Sequence, residues 1–193
     1  MNRIQALEQR IRDYVNKADL YERYFESHLD EWNALCVAMD ILGDTSFALK
    51  YYEDFGIGNR DDEKYLKLYG LLQAVFSQQE SIRQLNRTFI GNDLNPCPDT
   101  DWSKIRELRN LTVGHPIAYT EKGKPGTKHC FISRVTITSG GFQLIIWNES
   151  EKQNEFEYVD LKSLYEGYKS EAIKYLKSIR QAQIKKWGTP SNH

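Results

Sequence analysis

The residues best suited to chemistry lie close together in the middle of the chain. Arg109 and Asn110 are followed closely by Gly114, His115 and Pro116. A guanidinium can hold a phosphate through two parallel hydrogen bonds, and an imidazole titrates near neutral pH and can move a proton. This combination of side chains therefore suits a reaction at a phosphate group.

A short amphipathic helix is expected to position these side chains. Asp101 is its expected N-cap, and Gly114 and Pro116 are expected to end it, because glycine adopts the left-handed conformation at low cost and proline restricts the residue before it. His115 would then lie at the helix terminus, where its ring can return toward Arg109. The apolar side of this helix is formed by Trp102, Ile105, Leu108 and Leu111.

Arg109 and Asn110, followed after four more residues by His115, resemble the signature motif of the HEPN superfamily (higher eukaryotes and prokaryotes nucleotide-binding). The Gly114-His115-Pro116 ending is similar to a common form of that motif. The resemblance implies a mainly α fold, an antiparallel helical bundle, and a homodimer in which Arg109 and His115 of two chains meet. It also implies that Asn110 orients the histidine and that no metal or cofactor takes part.

The resemblance leaves two functions open. In the first, the protein is a metal-independent endoribonuclease, in which the RNA 2′-hydroxyl attacks its neighbouring phosphate with the help of the imidazole and the arginine. Such an enzyme would be a toxin or defence protein, with a cognate antitoxin or another protein as partner. In the second, the protein is a non-catalytic module that dimerises and binds a nucleotide, RNA or a protein partner.

Each residue of the motif also has an ordinary structural interpretation. Arg109 could pair with an acidic residue such as Glu107 or Asp101, and His115 could donate to a carbonyl group at the helix end. Asn110 is a normal residue for a helix end. Arg106 lies at a different angle on the helical wheel, where it is either solvated or in contact with a substrate phosphate.

A second group of candidate residues lies on the longest periodic segment, from Asp61 to about Ile90, which is predicted to be a central core helix. The apolar face of this helix turns polar at Gln79, Arg83 and Asn86. Buried polar groups need partners, so these side chains either form a hydrogen-bonded network or bind substrate in the cleft of the motif. The alternative is a solvated helix end that protrudes past the core.

The remaining pattern predicts a mainly α chain with a small β insertion. Helical spacing runs from residue 3 to about 28, continues to a stop at Gly43, and reappears from Asp160 to about Trp187. The insertion, at about residues 128–159, is predicted to be a small antiparallel sheet that precedes the C-terminal helix. The sequence therefore predicts one HEPN-like domain over residues 1–193. The predicted strands are His129–Ile137, Phe142–Trp147 and a weaker Glu155–Val159.

Composition narrows the classes of function. The chain has 193 residues, 40% of them hydrophobic, and a net charge of -1. This charge argues against a high-affinity, non-specific nucleic-acid binder, although an enzyme that contacts only a few phosphates remains compatible with it. The histidines outside the motif have no companions at metal-ligand spacing, and the widely separated cysteines are expected to be reduced. No apolar run is long enough for a membrane span, so a cytoplasmic protein is expected.

Overall fold

The computed structural model describes residues 3–114, 117–120, 123 and 126–188. The chain is mainly helical and carries a small antiparallel sheet before its C-terminal helix, which confirms the predicted secondary-structure class. The α-helices are α1 (Arg3–Lys17), α2 (Leu29–Phe55), α3 (Asp61–Ile90), α4 (Asp101–Arg109) and α5 (Leu161–Trp187).

The sheet consists of β1 (Lys128–Ile132), β2 (Gly141–Asn148) and β3 (Gln153–Asp160), in the order β1-β2-β3. Both pairs of strands are antiparallel, and Ile145 of β2 pairs with Phe131 on one side and Phe156 on the other. β1 is shorter than predicted because the chain turns into a 3₁₀ turn at Arg134–Thr136. Side chains alternate along β1 and β2, so one face of the sheet is buried and the other is more open.

The chain divides into two compact units. Unit 1 comprises Met1–Lys50, Ser77–Pro96 and Lys169–His193, and unit 2 comprises Tyr51–Phe76 and Cys97–Tyr168. Each unit has its own buried apolar side chains. In unit 1 they include Ile4, Ile11, Leu35, Leu42, Ile82, Leu85 and Leu176. In unit 2 they include Leu68, Leu72, Trp102, Ile105, Phe142, Leu144 and Tyr165.

Helix α3 has the predicted bounds, and its ends have clear causes. Its first turn is acidic, which suits the positive end of the helix dipole. Gly91 follows its last residue with a φ of +88° and donates its N–H to the carbonyl oxygens of Asn86 and Arg87, at 3.3 and 3.0 Å. A glycine in the left-handed conformation is a common way to end a helix.

The predicted stop at Gly43 is wrong, because α2 continues through this glycine to Phe55. Glycine costs about 1 kcal/mol inside a helix relative to alanine. Burial of apolar side chains before and after Gly43 outweighs that cost. These side chains are Leu35, Ala38, Met39, Leu42 and Leu49.

The predicted N-cap of α4 is also wrong by one residue. Thr100, in an extended conformation, precedes the helix, and its hydroxyl oxygen accepts a hydrogen bond from the Ser103 N–H at 3.3 Å. Asp101 is the first residue of the helix. Both residue types are good caps, so the sequence alone did not distinguish them.

Among the described residues, no helix has both the length and the apolar character needed to cross a membrane.

Candidate functional site

The motif begins where α4 ends. The helix continues directly into a π-helical turn, Asn110–Gly114, which we call the motif turn. Within this turn the Thr112 hydroxyl donates to the Leu108 carbonyl oxygen at 2.7 Å. Single π-helical turns are rare and are frequent at functional sites, so the local backbone supports a functional interpretation.

Gly114 is the last described residue of this helical segment, and the predicted stop there stays a prediction. Its φ lies outside the left-handed region, so the predicted left-handed conformation is wrong. A Cβ atom at position 114 would lie 2.8 Å from Arg109 Nη1 and 3.7 Å from the Arg109 carbonyl oxygen. The π-helical turn brings residue 114 back over residue 109, and glycine leaves room there for the guanidinium.

Arg109 is held by neutral acceptors. Its Nε and Nη2 donate to Gln73 Oε1 at 3.2 and 2.9 Å, and its Nη1 donates to Asn110 Oδ1 at 3.1 Å. Gln73 lies on α3, so the arginine bridges two helices of unit 2. These contacts fix the plane of the guanidinium without neutralising its charge.

The ring of Phe76 supports the same guanidinium. Arg109 Cζ lies 4.1 Å from the ring centroid, and Arg106 Cζ lies 4.4 Å from it. A cation is attracted to the face of an aromatic ring at such distances. Arg106 is therefore drawn against Phe76 and is only partly solvated, and two cationic groups lie side by side at the motif.

The predicted alternative in which Arg109 pairs with an acid is not observed. Within the described part of the chain, its hydrogen-bond acceptors are Gln73 and Asn110, and no carboxylate forms a salt bridge with it. An arginine that is ordered but not paired with a carboxylate keeps its charge available to an anion. This is the property that a phosphate-binding arginine requires.

His115 and Pro116 lie outside the described residues, so the position of the predicted catalytic histidine is not part of this geometry. The chain on either side of them is described. Gly114 is the last described residue before them. After them, the segment 117–120 pairs with β1 through Tyr119 and Lys128, whose two backbone hydrogen bonds measure 2.9 and 2.8 Å. The motif is thus held by α4 on one side and by the sheet on the other.

His129 strengthens the attachment of the segment 117–120 to β1, which we call the anchor. Its Nδ1 is hydrogen-bonded to the Ile117 carbonyl oxygen, and its Nε2 lies 2.9 Å from Glu149 Oε1. The hydrogen bond to Glu149 and the one to Ile117 raise the pKa of His129 above its ordinary value. No local sequence pattern predicts this role, because Ile117, His129 and Glu149 are brought together only by strand pairing.

The second group of predicted site residues belongs to unit 1, whereas the motif belongs to unit 2. Gln79 is fully buried. Arg83 Nη2 donates to the Leu94 carbonyl oxygen at 2.9 Å, and Asn86 Nδ2 donates to Asn92 O and Oδ1 at 2.7 and 3.1 Å. Arg83 and Asn86 thus hold the loop that follows α3, and a role for all three in substrate binding stays a prediction.

A cleft of about 640 Å³ lies beside the motif turn in unit 2. It is lined by side chains from the start of α3, from the motif turn and from β1 and the 3₁₀ turn, among them Asp61, Tyr65, Tyr69, Thr112, Phe131 and Arg134. This cleft is not predicted by the sequence pattern. Its only signal was the position of Tyr65 and Tyr69 one helical turn apart on α3.

In the described ranges, no three His, Cys, Asp or Glu side chains are grouped so that they could hold a metal ion. Cys36, Cys97 and Cys130 are free thiols. Burial raises the pKa of the Cys130 thiol to about 11. This thiol is therefore protonated at neutral pH and is a poor nucleophile.

No protein-family model, no curated protein and no solved structure matches this chain. A functional proposal therefore depends on the chemistry of the motif turn and on the resemblance of its residues to the HEPN motif.

Proposed function

We propose that this protein is a metal-independent endoribonuclease of HEPN type that acts as a homodimer. The observation that carries the proposal is the environment of Arg109, which is fixed by Gln73, Asn110 and Phe76 without a carboxylate partner in the described chain. Such an arginine suits the stabilisation of negative charge on a phosphate. The other residues of the motif supply the rest of the reaction.

Arg109 is the phosphate-binding residue in this proposal. Its hydrogen bonds to Gln73 and Asn110 use three N–H donors, the single one on Nε and one on each terminal nitrogen. Because a guanidinium has five such donors, 5 − 3 = 2 remain, one on each terminal nitrogen. These two can hold phosphoryl oxygens, and their charge stabilises the extra negative charge of the transition state.

Asn110 links the arginine to the histidine. A guanidinium only donates hydrogen bonds, so the amide oxygen of Asn110 must be the atom that faces Arg109. The amide nitrogen is then the donor end of the side chain. We assign it the role of orienting the ring of His115 through a hydrogen bond, as the resemblance implies.

His115 moves the protons. Its imidazole accepts the proton of the RNA 2′-hydroxyl while the 2′-oxygen forms a bond to the neighbouring phosphorus atom. The bond between phosphorus and the 5′-oxygen breaks, and that oxygen takes up a proton as it leaves. The products are a 2′,3′-cyclic phosphate and a 5′-hydroxyl, and the balance of atoms requires no metal ion or cofactor.

A second copy of the chain completes the site in this proposal, with Arg109 of one protomer acting beside the histidine of its partner. Unit 2 carries exposed apolar side chains on its helices, including Tyr51 and Phe55 on α2 and Leu66 on α3. Exposed apolar surface of this kind is typical of regions that bind another protein. It supports a homodimer as the active form.

The test is RNA cleavage in EDTA by the wild type, Arg109→Ala and His115→Ala. Arg10→Ala is the matched control, because Arg10 is an exposed arginine on α1 in unit 1. We expect the wild type and the control to cleave and each motif variant to lose about a hundredfold or more in rate. Cleavage that survives both motif substitutions would contradict the proposed site, and binding of RNA without cleavage would favour the non-catalytic module.

We also propose that the cleavage serves as a toxin or defence activity, restrained by a cognate antitoxin. Expression in bacteria is then expected to slow growth, and the effect is expected to require both Arg109 and His115. Equal growth inhibition by the wild type and by the double variant, at equal expression, would contradict this role.

A further inference from the structure

The cleft beside the motif turn has walls suited to a flat ring. Tyr65 and Tyr69 meet edge-on with their ring centroids 5.9 Å apart, and the Tyr65 hydroxyl donates to the Ile132 carbonyl oxygen at 3.3 Å. Tyr69 and Phe131 are 40% and 55% exposed. Two accessible rings beside a fixed third one form a site where a planar ligand can stack.

Phe131 also continues the cleft onto the open face of the sheet. It pairs across the strands with Ile145, which in turn pairs with Phe156, so the three side chains form one row. Phe156 is 63% exposed. A row on a three-stranded sheet with an exposed aromatic ring at each end is a surface on which the bases of a single strand can stack.

Arg134 supplies a positive charge at the same cleft. It is exposed, and its guanidinium interacts with the Tyr65 hydroxyl. It forms no salt bridge with a carboxylate of the described ranges, whereas Asp62, which also lines the cleft, is paired with Arg60 at 2.5 Å. Asp61 is the cleft's other carboxylate, and its Oδ1 lies 3.5 Å from Lys64 Nζ. The charges of the two acids are thus partly offset, and Arg134 remains to attract a phosphate.

The cleft is next to the proposed reaction centre. Thr112 of the motif turn lines it, and so does Tyr69, which lies on α3 one turn before Gln73. Four residues of an α-helix rise about 6 Å. Gln73 is the residue that holds Arg109, so Tyr69 of the cleft lies one helical turn along α3 from the residue that positions the proposed phosphate-binding arginine.

We propose that this cleft binds single-stranded RNA, with one base between Tyr69 and Phe131, its phosphate at Arg134, and a neighbouring base on the row that ends at Phe156. The inference deepens the proposed function, on which the choice of RNA as ligand rests. It assigns binding of the RNA strand beside the cleavage site to side chains of the β insertion together with Tyr69 of α3, all of which lie outside the HEPN-like motif.

The test separates binding from cleavage. Fluorescence polarisation measures the affinity of a labelled single-stranded RNA of mixed sequence for Arg109→Ala protein in EDTA, and then for the same protein with Phe131→Ala or Arg134→Ala added. Phe47→Ala is the matched control, since Phe47 is an exposed phenylalanine on α2 that belongs to unit 1. We expect each cleft variant to weaken binding by about tenfold or more, and Phe131→Trp to restore it, while the control leaves it unchanged.

Equal affinities of the cleft variants and the parent protein would overturn the inference, and so would an equal loss in the Phe47→Ala control. If the wild type cleaves RNA but the cleft variants bind normally, the proposed function survives and the cleft inference fails. If binding depends on Phe131 and Arg134 but no RNA is cleaved, the cleft inference survives and the ribonuclease proposal fails.

Discussion

Among single residues, Arg109 shows how a charge can be ordered without being neutralised. A carboxylate partner would hold the guanidinium strongly but would also compete with a phosphate for the same N–H donors. Gln73 holds it through a neutral oxygen, and Phe76 attracts it through the face of its ring. The side chain of Arg109 is therefore already ordered, and it loses little further conformational entropy when an anion binds.

Changing the charge of this acceptor tests the interpretation. We predict that Gln73→Glu leaves the fold intact but lowers the rate of RNA cleavage about tenfold or more, because the new carboxylate pairs with Arg109 and competes with the phosphate. Cleavage rates in EDTA and a thermal melt provide the measurement. Gln84→Glu, an equivalent change further along α3, is the control. An undiminished rate for Gln73→Glu would show that the charge of Arg109 is not needed.

Gly114 offers a second test on the same side chain. We predict that Gly114→Ala reduces cleavage by about ten- to a hundredfold, because the added Cβ would lie 2.8 Å from Arg109 Nη1 and must displace the guanidinium. Folding stability is expected to change by less than about 1 kcal/mol, since the group that must shift is the end of a flexible side chain.

Gly70→Ala is the matched control, because a Cβ there meets no atom within 4 Å. This substitution lies inside α3 and is expected to stabilise the protein by about 0.5–1 kcal/mol without changing the rate. Equal rates for both alanine variants would contradict the role assigned to Gly114.

Among the secondary-structure elements, the small sheet helps to position the motif. β1 packs against the motif turn and also pairs with the segment 117–120, which follows the motif in the chain. The two ends of the segment that contains His115 are therefore both attached to ordered structure in unit 2. The β insertion, which departs from a minimal helical bundle, thereby becomes part of the support of the site.

The pair of His129 and Glu149 makes this anchor dependent on pH. The pKa of His129 is raised and that of Glu149 is lowered, in each case chiefly by the hydrogen bond between them. The contribution of the histidine is present below its ordinary pKa of about 6.5 and is lost as pH rises through the raised value. The contribution of the glutamate is present above its ordinary pKa and is lost as pH falls through the lowered value.

We therefore predict that Glu149→Gln lowers the pKa of His129 toward its ordinary value, as measured by NMR titration of the imidazole C–H signals. Exchange of the Tyr119 and Lys128 amide hydrogens should also become faster near pH 6, because the anchor is weakened. Glu151→Gln, on the same connection between β2 and β3, should change neither quantity. An unchanged pKa for His129 would show that the pair does not form.

The sequence predicted the elements where a periodic pattern ran without interruption. The bounds of α3 and the end of α5 follow from the spacing of their apolar residues and the glycines after them. Gly43 was misread because a local propensity of about 1 kcal/mol is small beside burial along a long helix. Gly114 was misread because the room it provides for Arg109 depends on a π-helical turn, which residue types alone do not reveal.

The candidate site was predictable only in part. Arg109, Asn110 and His115 are neighbours in the chain, so their types and spacing pointed to phosphate chemistry. Gln73 and Phe76 lie more than thirty positions earlier, and the cleft side chains Tyr69 and Phe131 come from elements far apart in sequence. Such contacts arise from tertiary packing, and no local pattern encodes them.

On the scale of the whole molecule, the proposed site requires two chains. The complementation of two inactive variants tests this requirement directly. Mixing Arg109→Ala and His115→Ala proteins after dissociation and reassociation should restore about a quarter of the wild-type activity, because half of the dimers are mixed and one of their two sites is intact. No recovery, although mixed dimers form, would place the arginine and histidine of each site in one chain.

The most direct test of the central claim is the chemistry of the cut ends. RNA treated with the wild-type protein in EDTA should carry 2′,3′-cyclic phosphates and 5′-hydroxyls, identified by mass spectrometry, and a strand with a 2′-deoxy sugar at the cleaved position should remain whole. Arg109→Ala and His115→Ala should produce neither end. Ends that carry 5′-phosphates and 3′-hydroxyls, or cleavage that appears only when a divalent metal is added, would contradict the account.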